Sequence, residues 1–151
     1  MTVTDKCVYC GRGGKLTRDH IPPKNLFAKP RPKLITVPCC DPCNATASKD
    51  DEYFRQVLVM RADIGDHPEV KKVLPALYRS WQKPTKKRFS RALLDSLTRV
   101  NVRSAGGIHL GKVPGYIVDL TRISRVLGRV AKGLFWKDSG RSLRDDYDVL
   151  A

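Results

Sequence analysis

Two C-x-x-C pairs sit near the start of this 151-residue chain, Cys7-Val-Tyr-Cys10 and Cys40-Asp-Pro-Cys43. Each can offer two thiolates from a tight turn to one tetrahedral zinc, and four thiolates close a structural site. Cys39 is then the leftover, behind the knuckle; pairing Cys39 with Cys43 has a looser spacing and ranks second. Five cysteines without a secretion signal argue against a disulfide framework. A redox C-x-x-C would need a strand-to-helix setting and no matching second pair. Between the pairs lies Asp19-His20, and Asn44 follows Cys43 directly. Once zinc draws the knuckles together, the Asp19 carboxylate and the Asn44 amide oxygen could converge on one hard cation, Mg²⁺ or Mn²⁺. His20 would stand beside it as a general base. A base that activates water, opposite a metal that stabilises the leaving oxygen, is what phosphodiester hydrolysis requires.

The elements that must position these residues follow from the local pattern. Gly11, Gly13 and Gly14 support the turn after Cys10. Leu16–His20 reads as a short strand ended by Pro22-Pro23, and Leu34–Val37 as a second strand closed by Pro38. From Pro42 to Ala62 the spacing turns helical, with Asp50, Asp51 and Glu52 read as N-terminal helix charges. Metal would supply folding energy to this segment, which has few large apolar residues. Asp66-His67-Pro68-Glu69 opens a further helix to about Trp81, with Asp66 as its N-cap, and another is expected from Thr85 to Leu97. Val100–Arg103 and Tyr116–Val118 suggest a hairpin. A long amphipathic helix then starts near Asp119. Ile123, Val126, Leu127, Val130 and Leu134 make its apolar stripe, while Arg122, Arg125, Arg129 and Lys132 are expected to face outward.

Charge points to the partner. Twenty-nine Lys+Arg against 15 Asp+Glu give a net charge of +14, which favours a polyanion. Residues 1–60 hold ten basic and six acidic residues, and 61–151 hold nineteen and nine. The second half is therefore the electrostatic arm. No stretch reaches the ~18 apolar residues of a membrane span, so a soluble, cytoplasmic protein without a membrane partner is expected.

Cys7-x-x-Cys10, Asp19-His20-Ile21-Pro22 and Cys40-x-x-Cys43-Asn44 together resemble the zinc-stabilised HNH nucleases of ββα-metal architecture, over about the first fifty-five residues. The resemblance implies His20 as the base, Asp19 and Asn44 as ligands of the catalytic metal, and the four knuckle cysteines around a separate zinc. The middle Asn of that family, which orients the base from the second strand, has no counterpart in Leu34-Ile35-Thr36-Val37-Pro38. Thr36 or a backbone carbonyl would have to replace it; Asn25 is misplaced for the role. Lys49 stands where such nucleases often carry a basic phosphate contact.

The expected fold is α+β: a ββα-metal module over residues 1–62, then a mainly helical basic extension with one hairpin over 63–151. The expected function is metal-dependent hydrolysis of DNA, RNA being the other nucleic acid left open, with zinc as structural metal and magnesium or manganese as catalytic metal. A homodimer would cut both strands. Lys49, Lys86, Lys87 and Arg88 are the expected nucleic-acid contacts. The alternatives are a non-catalytic zinc-dependent nucleic-acid-binding module and a zinc-clamped protein-interaction domain.

Overall fold

The computed structural model describes residues 5–61, 66–84, 91, 92 and 94–143. Its elements are β1 (Leu16–Ile21), a 3-10 turn (Lys24–Leu26), β2 (Ile35–Cys40), α1 (Asp41–Val59), α2 (Pro68–Trp81), β3 (Leu97–Arg103), β4 (His109–Tyr116) and α3 (Leu120–Ser139). The architecture is α+β, with two separate antiparallel hairpins, β1–β2 and β3–β4. Two compact units result: Met1–Leu74 with Leu120–Ala151, and Pro75–Asp119. The division differs from a single cut at residue 62, because α3 belongs with the cysteine-bearing segment. Among the described residues, no helix is long and apolar enough to cross a membrane.

In the first unit, β1 and β2 pair from Leu16↔Cys40 to Ile21↔Ile35. The second strand does not close at Pro38 but runs through it. Pro38 lies opposite Arg18, and its carbonyl accepts the Val8 N–H at 3.0 Å on the outer edge. A residue whose carbonyl faces that edge owes β1 no N–H, so proline is tolerated there. Val8, Ile21 and Val37 form the core, and Val130 and Trp136 of α3 pack against them. Gly133 makes this approach possible: a Cβ there would lie 2.6 Å from Ile21 Cγ1.

The polar face of α3 is where the structure overturns the sequence pattern. Arg122 and Arg129 do not face outward, and Arg125, although still exposed, is turned to Asp50; together they form a seam with α1. Arg122 Nε and Arg125 Nε each reach a carboxylate oxygen of Asp50 at 2.7 Å. Arg129 holds Asp51 at 2.8 Å and Asp19 of β1 at 2.7 Å, and the Arg122 guanidinium also lies over the Tyr53 ring. Leu127 and Leu134, expected in the core, are exposed instead. Asp50 and Asp51 lie in the middle of α1, which starts at Asp41, so they are seam residues and not N-terminal helix charges. The reason is electrostatic. Two adjacent carboxylates on a buried helix face need cations, and arginines at i, i+3 and i+7 supply them from one stripe.

At the start of α2, Asp66 is not the cap. His67 Nδ1 accepts the Glu69 N–H at 3.3 Å, and Asp66 pairs with Lys71 at 3.0 Å. The second hairpin is present, but β4 ends at Tyr116, so Ile117 and Val118 lie past the strand they were expected to form. Of the helix expected over 85–97, residues 85–90 and 93 lie outside the described residues, and Leu97 already begins β3.

Arg129 is the keystone of the seam. Its replacement by Met should lower the unfolding free energy by about 3 kcal/mol in urea titrations, because two buried carboxylates lose their cation. An unchanged midpoint would contradict that role. Asp50 gives a pH signature. Hydrogen bonds from Arg125, and then Arg122, hold its carboxyl below the usual aspartate range against the opposing effect of burial. A depressed folded-state pKa contributes stability above the unfolded value, about 3.9, that is lost as pH falls through the folded value. The destabilisation caused by Asp50→Asn should therefore be full at pH 7 and shrink below about pH 4. A penalty of constant size down to pH 3 would refute this.

Candidate metal centre

The amino-terminal knuckle is a tight turn in which the Cys7 N–H donates to the Arg12 carbonyl at 2.8 Å and Gly11 N–H to the Cys7 carbonyl at 2.9 Å. Gly11 takes φ +70°, a conformation that L side chains rarely adopt. The second pair spans the junction of β2 and α1: Cys40 ends the strand, and Cys43 lies in the first helical turn after Pro42. The Sγ atoms of Cys7, Cys10, Cys40 and Cys43 all lie within 4.8 Å of one another, with Cys10 and Cys40 3.6 Å apart. Four thiolates at about 2.3 Å from a tetrahedral zinc sit about 3.8 Å from each other. The group could therefore hold a metal ion such as zinc, and its ligand from β2 is Cys40, not Cys39. Cys39 is fully buried against Cys7 and Cys40 but outside the four-Sγ group, its thiol directed at the Cys40 carbonyl.

The thiols are prepared unequally. Burial opposes ionisation of Cys7, but backbone N–H donors of Cys40, Cys10 and Tyr9, with the Cys10 thiol, outweigh it and lower its pKa to about 6. Burial, and then the neighbouring thiols of Cys40 and Cys10, push Cys43 up. Burial also pushes Cys39 up, to about 12, as expected of an inert core thiol. So close a group favours one thiolate unaided, and a bound dication is what would stabilise the others.

Asp19, His20 and Asn44 are placed as follows. Thr17, Asp19 and Ile21 alternate onto the β1 face that meets α1 and α3, while Arg18 and His20 take the other. Asn44, in the first turns of α1, donates its amide N–H to Thr17 Oγ1 at 3.2 Å, and Thr17 donates to the Cys39 carbonyl at 2.9 Å. Asn44 is therefore docked on β1 two residues before Asp19. Asp19 is buried and engaged: Oδ2 accepts the Tyr9 hydroxyl and an Arg129 N–H, both at 2.7 Å, and Oδ1 accepts the His20 backbone N–H at 2.9 Å. His20 is half-buried and lies directly across the ladder from Thr36, the residue considered above as a stand-in for the missing Asn. Asn25 is tied elsewhere, donating to the Asp51 carbonyl at 2.9 Å.

Tyr9, Asp51 and Arg129 complete this cluster, and sequence reasoning missed all three. Burial, then the Asp19 carboxylate, push the Tyr9 hydroxyl above its usual range. Burial likewise pushes Asp51 up, against the pull of Arg129. For Arg129 burial opposes the charge, but Asp19 and Asp51 prevail and hold it more firmly protonated than usual. The available signal was the i, i+3, i+7 spacing of three arginines, set against the adjacent pair Asp50-Asp51. A cavity of about 380 Å³ opens beside the cysteines, walled by Tyr9, Arg12, Thr46, Asp50, Arg125 and Arg129 among others. Lys49 is exposed on α1, its carbonyl accepting an Arg122 N–H. Lys86, Lys87 and Arg88 lie outside the described residues.

A four-cysteine site of this geometry should bind one zinc per chain, measured by elemental analysis and by dye-detected release. Cys43→Ser should weaken retention and lower thermal stability, whereas Cys39→Ser should leave the stoichiometry at one; the reverse pattern would move the site. Compared with family models, curated proteins and solved structures, the chain finds no match, so its functional reading rests on its own residues.

Proposed function

We propose that the protein is a zinc-clamped, divalent-metal-dependent nuclease of the ββα-metal kind, acting on DNA. The observation that supports this reading is the docking of Asn44 onto β1 through Thr17, beside Asp19-His20, at the point where the cysteine group joins β2 to α1. In this reading zinc sits in the Cys7, Cys10, Cys40 and Cys43 group and has a structural role. Asp19 and Asn44 would hold Mg²⁺ or Mn²⁺. Their donor chemistry suits a hard cation. Among the described residues, Asp19 Oδ1 accepts one N–H and the Asn44 amide is fastened through its nitrogen, which leaves lone pairs on both oxygens for a ligand. Such a cation, when bound, supplies charge for the developing phosphoryl transition state.

The chain's own residues do the rest. His20, on the face of β1 opposite Asp19, would take the proton from the attacking water, and Thr36, its partner across the ladder, would be the residue to steady it.

The non-catalytic nucleic-acid-binding module is the second reading. It is favoured by the ion pair between Asp19 and Arg129, which neutralises the carboxylate the nuclease needs. One experiment separates them. Supercoiled plasmid is incubated with wild type or His20→Ala, with Mg²⁺ or Mn²⁺ present or withheld; withholding is preferable to EDTA, which would also strip zinc. Metal-dependent nicking that falls by roughly 10²–10⁴-fold in His20→Ala, with zinc content unchanged, supports the nuclease. Equal plasmid binding with no nicking by either protein supports the binding module.

A further inference from the structure

The second unit carries a surface whose charge is organised differently from the seam on α3. β3 and β4 pair as Arg99↔Pro114, Asn101↔Lys112 and Val102↔Gly111, with a bulge before Arg103↔His109. Alternation then separates two faces. One presents Arg99, Asn101 and Arg103 from β3 with His109 and Lys112 from β4, and, toward the end away from the turn, Leu97, Pro114 and Tyr116. The other presents Thr98, Val100 and Val102 with Val113. Gly115 lets the apolar face close up, since a Cβ there would lie 2.9 Å from Val100 Cγ2. No residue from Leu97 to Tyr116 is acidic. Arg99, Arg103 and Lys112 are exposed and have no ion-pair partner among the described residues.

We propose that the β3–β4 hairpin is a duplex-DNA contact ribbon, its Arg99/Asn101/Arg103/Lys112 face entering the major groove. A two-stranded ribbon is one of the two elements that fit this groove, about 12 Å wide. Arg99 and Arg103 are four residues apart, about 13 Å along an extended strand, so each can meet one of the two flanking phosphate strands. Asn101 and Lys112, paired between them, face the base edges, where an amide and an ammonium find acceptors and donors. Duplex RNA is a poorer fit because its major groove is deep and narrow. The opposite, apolar face leaves the basic one as the charged side of the ribbon. The proposal stands on the hairpin's own register and charge and shares with the nuclease reading only the nucleic-acid partner.

The test uses the full chain in a His20→Ala background, so that DNA stays intact, and follows binding of a mixed-sequence duplex by fluorescence anisotropy across a salt series. Arg99→Gln/Arg103→Gln/Lys112→Gln should weaken binding. It should also flatten the slope of log Kobs against log salt by about 1.8, two phosphates at ~0.9 each, with the Lys112 change weakening affinity further through the base edges. Arg99→Lys/Arg103→Lys should keep the slope, which separates lost charge from lost folding. An unchanged slope in the triple variant overturns the ribbon. So does duplex RNA bound as tightly as DNA, or a triple variant that alters self-association in place of DNA affinity. Failure of the nuclease reading is read independently: a slope that flattens while the wild type never nicks plasmid keeps the ribbon and removes the nuclease.

Discussion

Arg129 is the interaction on which the first unit depends. Its guanidinium sits largely out of water, bonded at once to Asp19 of β1 and Asp51 of α1, and it is carried by α3, which follows about sixty residues after α1 ends. Removing such charges from water is costly; the two ion pairs through Nη1 and Nη2 oppose that cost, while Arg129 Nε stays buried without a hydrogen-bond partner among the described residues. The planar fork of arginine suits this task because two of its edges can each meet a carboxylate, which a lysine ammonium does less well. One side chain thereby ties a strand and two helices together.

The need for such a tie follows from the size of the sheet. A two-stranded hairpin is marginal alone in water, and β1–β2 has only six residues on each strand. Its stability must come from what covers it: Val130 and Trp136 on the apolar part of one face, the arginine seam on the polar part, and the cysteine cluster at the end where β2 becomes α1. The same crowding has a chemical consequence. Asp19 is positioned precisely because it is bonded on several sides, and the ion pair that positions it also competes with a cation for its charge. A catalytic reading and a structural reading of Asp19 therefore differ in the state of one guanidinium.

The two units use basic residues in opposite ways. On α3 the arginines are matched against Asp19, Asp50 and Asp51, and their charge is spent within the molecule. On the β3–β4 hairpin no acid is present and the side chains meet water. A net charge of +14 hides this division. What attracts a polyanion is unmatched surface charge, so a count of lysines and arginines by half of the chain locates the electrostatic arm only roughly.

Much of the first unit was legible in the residues themselves. Paired C-x-x-C spacing is a local property of two turns and predicts the cysteine group directly; the alternation of Leu16–Ile21 and the β-branched run at Ile35–Val37 mark the two strands. Helix α1 is also local, since its apolar spacing repeats every three to four residues. Pro38 was harder, because whether a proline ends a strand depends on which edge its missing N–H would face, and only the pairing decides that. The outward assignment of Arg122, Arg125 and Arg129 failed for a deeper reason. Amphipathic spacing sorts residues by hydrophobicity, and it cannot register that an acidic helix face elsewhere in the chain draws a charged stripe into ion pairs. Which cysteines, strands and helices exist was thus written locally in the sequence. Which charges meet, and so which are left for a partner, was decided only when segments about seventy to a hundred and ten residues apart came together.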